Sequence, residues 1–85
     1  MKTNLNQCFV SNAKLCLSFM RLANSAKNTD RARLIGKLES FLIPIKFAAT
    51  DASLSGSERS CASRIAARID RLTMRRYGRV FGGVA

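Results

Sequence analysis

Apolar residues recur with a helical period from Asn4 to about Ser25. At about 100° per residue they fall on one broad half of a helical wheel, and polar residues fall on the other half. The apolar half contains Leu5, Cys8, Phe9, Ala13, Leu15, Cys16, Phe19, Met20, Leu22 and Ala23, and Val10 and Leu17 widen it at its border. An apolar sector of this width is typical of a helix that contacts two neighbours or a second subunit. The pattern therefore predicts either a central first helix with two neighbours or a first helix through which a homo-oligomer forms.

A second helical pattern follows the segment AKNTD, in which Asn28 or Thr29 is the expected N-cap. Its apolar residues have the spacing i, i+1, i+4, i+7 and i+8 and are Leu34, Ile35, Leu38, Phe41 and Leu42. No glycine or proline separates this pattern from the first one. A single long helix through position 43 is therefore the alternative to two helices.

Pro44 is the one proline in the chain. It lacks a backbone donor and disfavours helical geometry at Ile43, so we expect the second helix to end or kink at this point. Proline is favoured in the first position of a helix, and a short fourth helix could therefore begin at Pro44.

Local signals define a third helix more sharply than the first two. Ser55 and Glu58 have the spacing of a capping box at the start of a helix. Gly78 lies where a left-handed C-terminal cap favours glycine, so the helix is expected from about Gly56 to Tyr77. Its expected apolar stripe consists of Ala62, Ile65, Ile69 and Leu72.

The predicted fold class is all-α, a compact bundle of three main helices in a single helical domain over residues 1–78. The chain of 85 residues is too short for two separate cores. The glycine-rich residues 79–85 are expected to form a flexible C-terminal tail, unless Val80 and Phe81 dock on the core.

Arginines recur along the third helix with the spacing i, i+4, i+7 and i+11. By helical arithmetic they lie about 110° from the expected apolar stripe. They are Arg64, Arg68, Arg71 and Arg75, with Arg79 beyond the cap and Arg76 and Tyr77 crowded at the same end. Like charges at i and i+4 repel by roughly 0.2–0.5 kcal/mol per pair, and Asp70 alone lies on the other flank. We therefore expect an anion from outside the helix.

The charge of the whole chain agrees with this expectation. Lysine and arginine total 15 against 5 acids, which gives a formal net charge of +10, and ten of the cations are arginine. A small protein with this charge attracts nucleic acid and acidic protein surfaces. Arginine binds phosphate and carboxylate with two parallel hydrogen bonds, so its preference over lysine favours a binding role.

The residue types argue against catalytic chemistry. The chain has no histidine, its acids are scattered, and its three cysteines lack the spacing of a zinc site or a disulfide framework. We therefore expect no enzymatic activity, no metal, no cofactor and no small-molecule substrate. Reduced cysteines fit a cytoplasmic location, and the longest apolar run, FLIPI, is too short to span a bilayer. Binding to a membrane surface is the least favoured role.

Three interpretations of the arginines remain open. In the first, they are a solvated flank, and acids from other helices pair with some of the charges, namely Glu39, Asp51 or Asp30. In the second, which we prefer, they bind the backbone of DNA or RNA, and Tyr77 adds a stacking surface. In the third, they dock on an acidic surface of a partner protein, as an interaction or inhibitor module of the kind that viruses and mobile elements carry. The residues assigned to polyanion binding are Arg64, Arg68, Arg71, Arg75, Arg76, Tyr77 and Arg79.

Overall fold

The computed structural model describes residues 5–82, and over that range the chain forms three α-helices and no strand. Helix α1 spans Leu5–Asn24, α2 spans Asn28–Ala49 and α3 spans Gly56–Tyr77. This confirms the prediction of an all-α fold with three main helices. None of the three helices has an apolar stretch long enough to cross a membrane.

The chain turns at residues 25–27, between α1 and α2, so the alternative of one long helix is wrong. The expected N-cap at Asn28 or Thr29 is also wrong, because Lys27 occupies that position and its side chain makes no capping hydrogen bond. The Arg31 side chain joins the two helices instead. Its Nε donates a hydrogen bond to the carbonyl of Ala23, at 3.1 Å.

Helix α2 continues through Pro44 to Ala49, so the predicted end or kink at Pro44 does not become a helix boundary, and no separate fourth helix follows. Leu42 and Ile45 are fully buried on either side of the proline. Burying each of these side chains contributes roughly 1.5–3 kcal/mol. A proline inside a helix costs about 3 kcal/mol relative to alanine. The buried neighbours therefore offset the cost, and Pro44 itself is exposed.

Both predicted caps of α3 are confirmed. The Ser55 hydroxyl accepts a hydrogen bond from the backbone N–H of Glu58 at 3.1 Å, and the Glu58 carboxylate accepts one from the N–H of Ser55 at 3.0 Å. At the other end Gly78 has a φ of 71°, the left-handed conformation, and its N–H donates to the Met74 carbonyl at 2.9 Å. These local bonds fix the helix boundaries at the predicted residues.

Two buried clusters show how the helices are arranged. One cluster contains Phe9, Ile45, Ala48, Ala62 and Ala66. The other contains Cys16, Met20, Leu38, Leu42, Ile69 and Phe81. The start of α1 thus meets the end of α2 and the start of α3, so α2 runs antiparallel to both neighbours. Helices α1 and α3 therefore run in the same direction, side by side.

The wide apolar sector of α1 is only partly covered among the described residues. Its buried face consists of Phe9, Cys16, Met20 and Ala23. Val10 remains exposed on one side of this face, and Leu15 and Leu22 remain exposed on the other. Self-association through α1 stays a prediction.

The residues after α3 return to the core, which is the alternative that the sequence leaves open for Phe81. The Phe81 side chain is only 3% exposed and belongs to the second buried cluster. Lys46 Nζ donates a hydrogen bond to the Phe81 carbonyl at 2.7 Å. Val80 remains exposed. The segment 79–82 is thus packed on the helices, while residues 83–85 of the expected tail lie outside the described range.

Candidate functional site

Helix α3 places four arginines along its exposed side. We call them the arginine ridge, which consists of Arg64, Arg68, Arg71 and Arg75. The buried side of the same helix consists of Ala62, Ala66, Ile69 and Thr73. At about 100° per residue, the centres of the two sets lie about 160° apart. At a rise of 1.5 Å per residue, the ridge spans about 16 Å. Because of this angle, the ridge lies on the side of α3 nearly opposite the core.

The acid closest in sequence to the ridge, Asp70, forms an ion pair with a lysine of another helix. Asp70 Oδ1 lies 2.8 Å from Lys46 Nζ, and Lys46 also holds the Phe81 carbonyl. This lysine comes from α2, on the inner flank of α3. Asp70 thus joins α2 to α3 and leaves the ridge without its nearest counter-charge.

The other partnered acids are engaged locally. Asp51 accepts hydrogen bonds from the backbone N–H and the hydroxyl of Ser53, at 2.9 and 2.7 Å, and these bonds lower the pKa of Asp51 below its ordinary value. Asp30 pairs with Arg33 at 3.2 Å. Glu58 completes the capping box.

Within residues 5–82, no carboxylate oxygen lies within 4.0 Å of a ridge guanidinium nitrogen. Glu39, Asp51 and Asp30, the acids proposed as partners of a solvated flank, are not paired with the ridge. The arginine ridge therefore carries four positive charges that the described part of the chain leaves unneutralised.

Three residues assigned to polyanion binding lie away from this ridge. Tyr77 is half-buried, its ring meets the Phe81 ring edge-on with centroids 5.6 Å apart, and its hydroxyl is buried with no hydrogen-bond partner among the described residues. The Arg79 guanidinium carbon lies 4.5 Å from the centroid of the Phe81 ring, a cation–π contact. Arg76 is exposed on the side of α3 that faces α1. Tyr77 therefore packs with the core, which leaves it poorly placed for stacking on a base.

The structure also contains a groove that the sequence reasoning missed. It lies between α1 and α3 and has a volume of about 260 Å³. Its lining residues are Val10, Ala13, Lys14, Leu17, Ile65, Arg68, Ile69 and Leu72. We call it the α1–α3 groove. Ile65 and Leu72 were expected in the buried stripe of α3, but both are only half-buried because Ala66 and Thr73 take the innermost positions.

The groove continues toward the C-terminal ends of both helices. This continuation is a smaller hollow of about 120 Å³, which we count as part of the α1–α3 groove. It shares Leu17 and Leu72 with the larger part and adds Met20, Arg21 and Arg76. The signal for this groove lies in the wide apolar sector of α1, which includes Val10 and Leu17. The sequence alone does not show that α3 lies beside this sector.

Elsewhere in residues 5–82, the free thiols and the acidic side chains form no cluster that indicates a metal site. Cys8 and Cys61 are half-buried free thiols and Cys16 is a buried one. Among the described residues, no group of three or more His, Cys, Asp or Glu side chains is arranged to hold a metal ion. The two surfaces that merit a functional argument are the arginine ridge and the α1–α3 groove.

Comparison of the chain with protein-family models, with curated proteins and with solved structures finds no match. The class that the fold itself defines is a three-helix all-α protein. The charges, contacts and shape of these two surfaces are therefore the features that bear on its function.

Proposed function

We propose that this protein is a non-catalytic binding protein whose arginine ridge contacts the phosphate backbone of nucleic acid. The observation that carries the proposal is the absence of any carboxylate paired with the ridge within residues 5–82. Arginines at i and i+4 repel each other by roughly 0.2–0.5 kcal/mol per pair. A bound row of phosphates offsets this repulsion, because each guanidinium then lies next to a negative charge.

The length of the arginine ridge matches the spacing of phosphates along a nucleic-acid strand. One strand of a duplex presents a phosphate about every 3.4 Å along the helix axis, so a ridge of about 16 Å lies alongside roughly five of them. Each guanidinium donates two parallel hydrogen bonds to one phosphate. The four exposed side chains line up on one face of a helix, so the backbone that carries them is already ordered before binding.

The expected binding is independent of base sequence. Contacts with phosphate fix position and orientation on the duplex, whereas base edges in the grooves specify sequence. The net charge of +10 adds a long-range attraction that accelerates encounter with any polyanion. The proposed partner is therefore DNA or RNA recognised through its backbone.

The test is the affinity for a short fluorescent duplex of arbitrary sequence, measured by anisotropy at about 50 mM salt. The double variant Arg71→Gln/Arg75→Gln removes two ridge charges that do not line the α1–α3 groove. We expect it to weaken binding by about tenfold or more, because two phosphate contacts are lost.

The matched control is the double variant Lys27→Gln/Lys37→Gln. Both lysines are exposed, neither lies on α1 or α3, and the change in net charge is the same. We expect only a small loss of affinity. No binding by the wild-type protein at this salt concentration, or equal losses in the two double variants, would refute the proposal.

A further inference from the structure

The α1–α3 groove has the length and the walls of a helix-binding site. Its walls run in the same direction from Val10 to Arg21 on α1 and from Ile65 to Arg76 on α3. At 1.5 Å per residue each wall is about 16 Å long, which matches three turns of an α-helix. No residue of α2 lines the groove, so it opens on the side of the α1–α3 pair away from α2.

The floor of the groove is apolar and partly exposed. The Val10 side chain is 43% exposed, and Leu17, Ile65 and Leu72 are half-buried. Exposed apolar patches rimmed by polar residues are typical of interaction sites. A helix with apolar residues at i, i+3, i+4 and i+7 fits such a floor, and its docking would complete a four-helix arrangement.

The rims of the groove are cationic on both sides. Lys14 and Arg21 project from α1, and Arg68 and Arg76 project from α3. All four are exposed, none forms an ion pair with another described residue, and no acid lines the groove. Charge complementarity therefore requires a partner with acids along both flanks of its apolar stripe.

We propose that the α1–α3 groove binds an acidic amphipathic helix of a partner protein. The apolar floor takes the leucine-type anchors of that helix, and the four cations pair with carboxylates on its two flanks. Only Arg68 belongs both to this groove and to the arginine ridge. The proposal stands on the groove alone, so it can succeed or fail independently of nucleic-acid binding.

Two other occupants fit the groove less well. A second copy of this chain would place the same four cations against one another, and like charges in an interface cost affinity. Unpaired bases of a single-stranded nucleic acid bind by stacking on aromatic side chains. No aromatic side chain lines the groove.

The probe for this site is a synthetic helical peptide with leucine at i, i+3, i+4 and i+7 and glutamate on both flanks. We expect the full-length protein to bind it in an anisotropy titration, with an affinity that falls as salt rises. One control peptide carries lysine in place of every glutamate. A second control has the same composition with its leucines spread around the helix. Equal binding of either control would overturn the proposal.

Substitutions in the protein test whether the peptide binds in the groove. Val10→Asn removes an exposed part of the floor, and Lys14→Gln/Arg21→Gln removes the α1 rim without touching the ridge. We expect each to weaken peptide binding by about fivefold or more, because Val10→Asn removes an apolar contact in the floor and Lys14→Gln/Arg21→Gln removes two ion pairs with the glutamates. The matched controls are Phe47→Asn, at an apolar side chain of α2 that is 55% exposed, and Lys27→Gln/Lys37→Gln.

The outcomes separate the two proposals. If the groove variants lose the peptide while Arg71→Gln/Arg75→Gln retains it, the groove is the peptide site whether or not the ridge binds DNA. If Phe47→Asn weakens binding as much as Val10→Asn does, the groove proposal is wrong. A dimer of the free protein in sedimentation equilibrium that Val10→Asn dissociates would identify a second copy as the occupant and also overturn it.

Discussion

Cys16 lies where α1 packs against α2, and its environment determines its chemistry. The side chain is fully buried, and its Sγ donates a weak hydrogen bond to the Leu38 carbonyl at 3.6 Å. Burial disfavours the charged thiolate and raises the pKa of Cys16 from 9.0 to about 11. The apolar period of α1 predicts a cysteine that acts as a small hydrophobe, and the burial of Cys16 confirms this.

This shift in pKa makes the stability of the fold depend on alkaline pH. Because the pKa in the folded state is raised, the contribution of Cys16 to stability is present below pH 9.0 and is lost as pH rises toward about 11. We expect the free energy of unfolding in urea to fall between pH 8 and pH 10.5 by about 2 kcal/mol more in the wild type than in Cys16→Ala. Cys61→Ala, at a half-buried thiol, serves as the control. Parallel pH profiles for wild type and Cys16→Ala would contradict the assignment.

Helix boundaries in this protein follow two different kinds of signal. The ends of α3 depend on bonds within a few residues, from Ser55 to Glu58 and from Gly78 to Met74, so the sequence predicts them correctly. The continuation of α2 through Pro44 depends on burial of Leu42 and Ile45 by other helices. A local pattern does not contain that information, and the predicted end of the helix at Pro44 is wrong for this reason.

The cost of the proline remains in the folded protein and can be measured. Pro44 is exposed, so Pro44→Ala removes the helix-breaking residue without emptying a buried position. We expect the free energy of unfolding in urea to rise by about 1–3 kcal/mol. Gly36→Ala is the reference on the same helix, because an added Cβ there meets no atom within 4 Å. That substitution should raise stability by about 1 kcal/mol through helix propensity alone. A loss of stability in Pro44→Ala would show that the proline shapes α2 in a way that the packing requires.

At the scale of the whole molecule, the packing of three helices determines which surfaces are available. The arginine spacing alone predicts the ridge, since four residues on one helix face stay together in any packing. The sequence does not predict the α1–α3 groove, because the groove depends on which helix packs against each face of α1 and α3. The same limit applies to Tyr77, whose ring packs on Phe81. For the same reason, the sequence does not decide whether Phe81 docks on the core or belongs to a flexible tail.

The segment after α3 covers the core with the side chain of Phe81. The stability of the fold should therefore depend on this side chain. Phe81 is buried among residues of all three helices, so Phe81→Ala should lower the free energy of unfolding by about 3 kcal/mol or more. Val80→Ala, at the exposed neighbouring position, should change it by less than about 0.5 kcal/mol. The measurement is urea unfolding followed by circular dichroism. Similar small effects of the two substitutions would show that Phe81 adds little to the core.

The central claim is that the arginine ridge carries charge for an external polyanion, and salt dependence tests it most directly. Four phosphate contacts predict that the logarithm of the affinity for duplex DNA falls against the logarithm of salt with a slope of about −3.6. In Arg71→Gln/Arg75→Gln the slope should flatten to about −1.8, since each lost contact changes it by about 0.9. Lys27→Gln/Lys37→Gln should keep the wild-type slope. The claim is contradicted if both double variants flatten the slope equally, because the attraction then comes from net charge and not from the ridge.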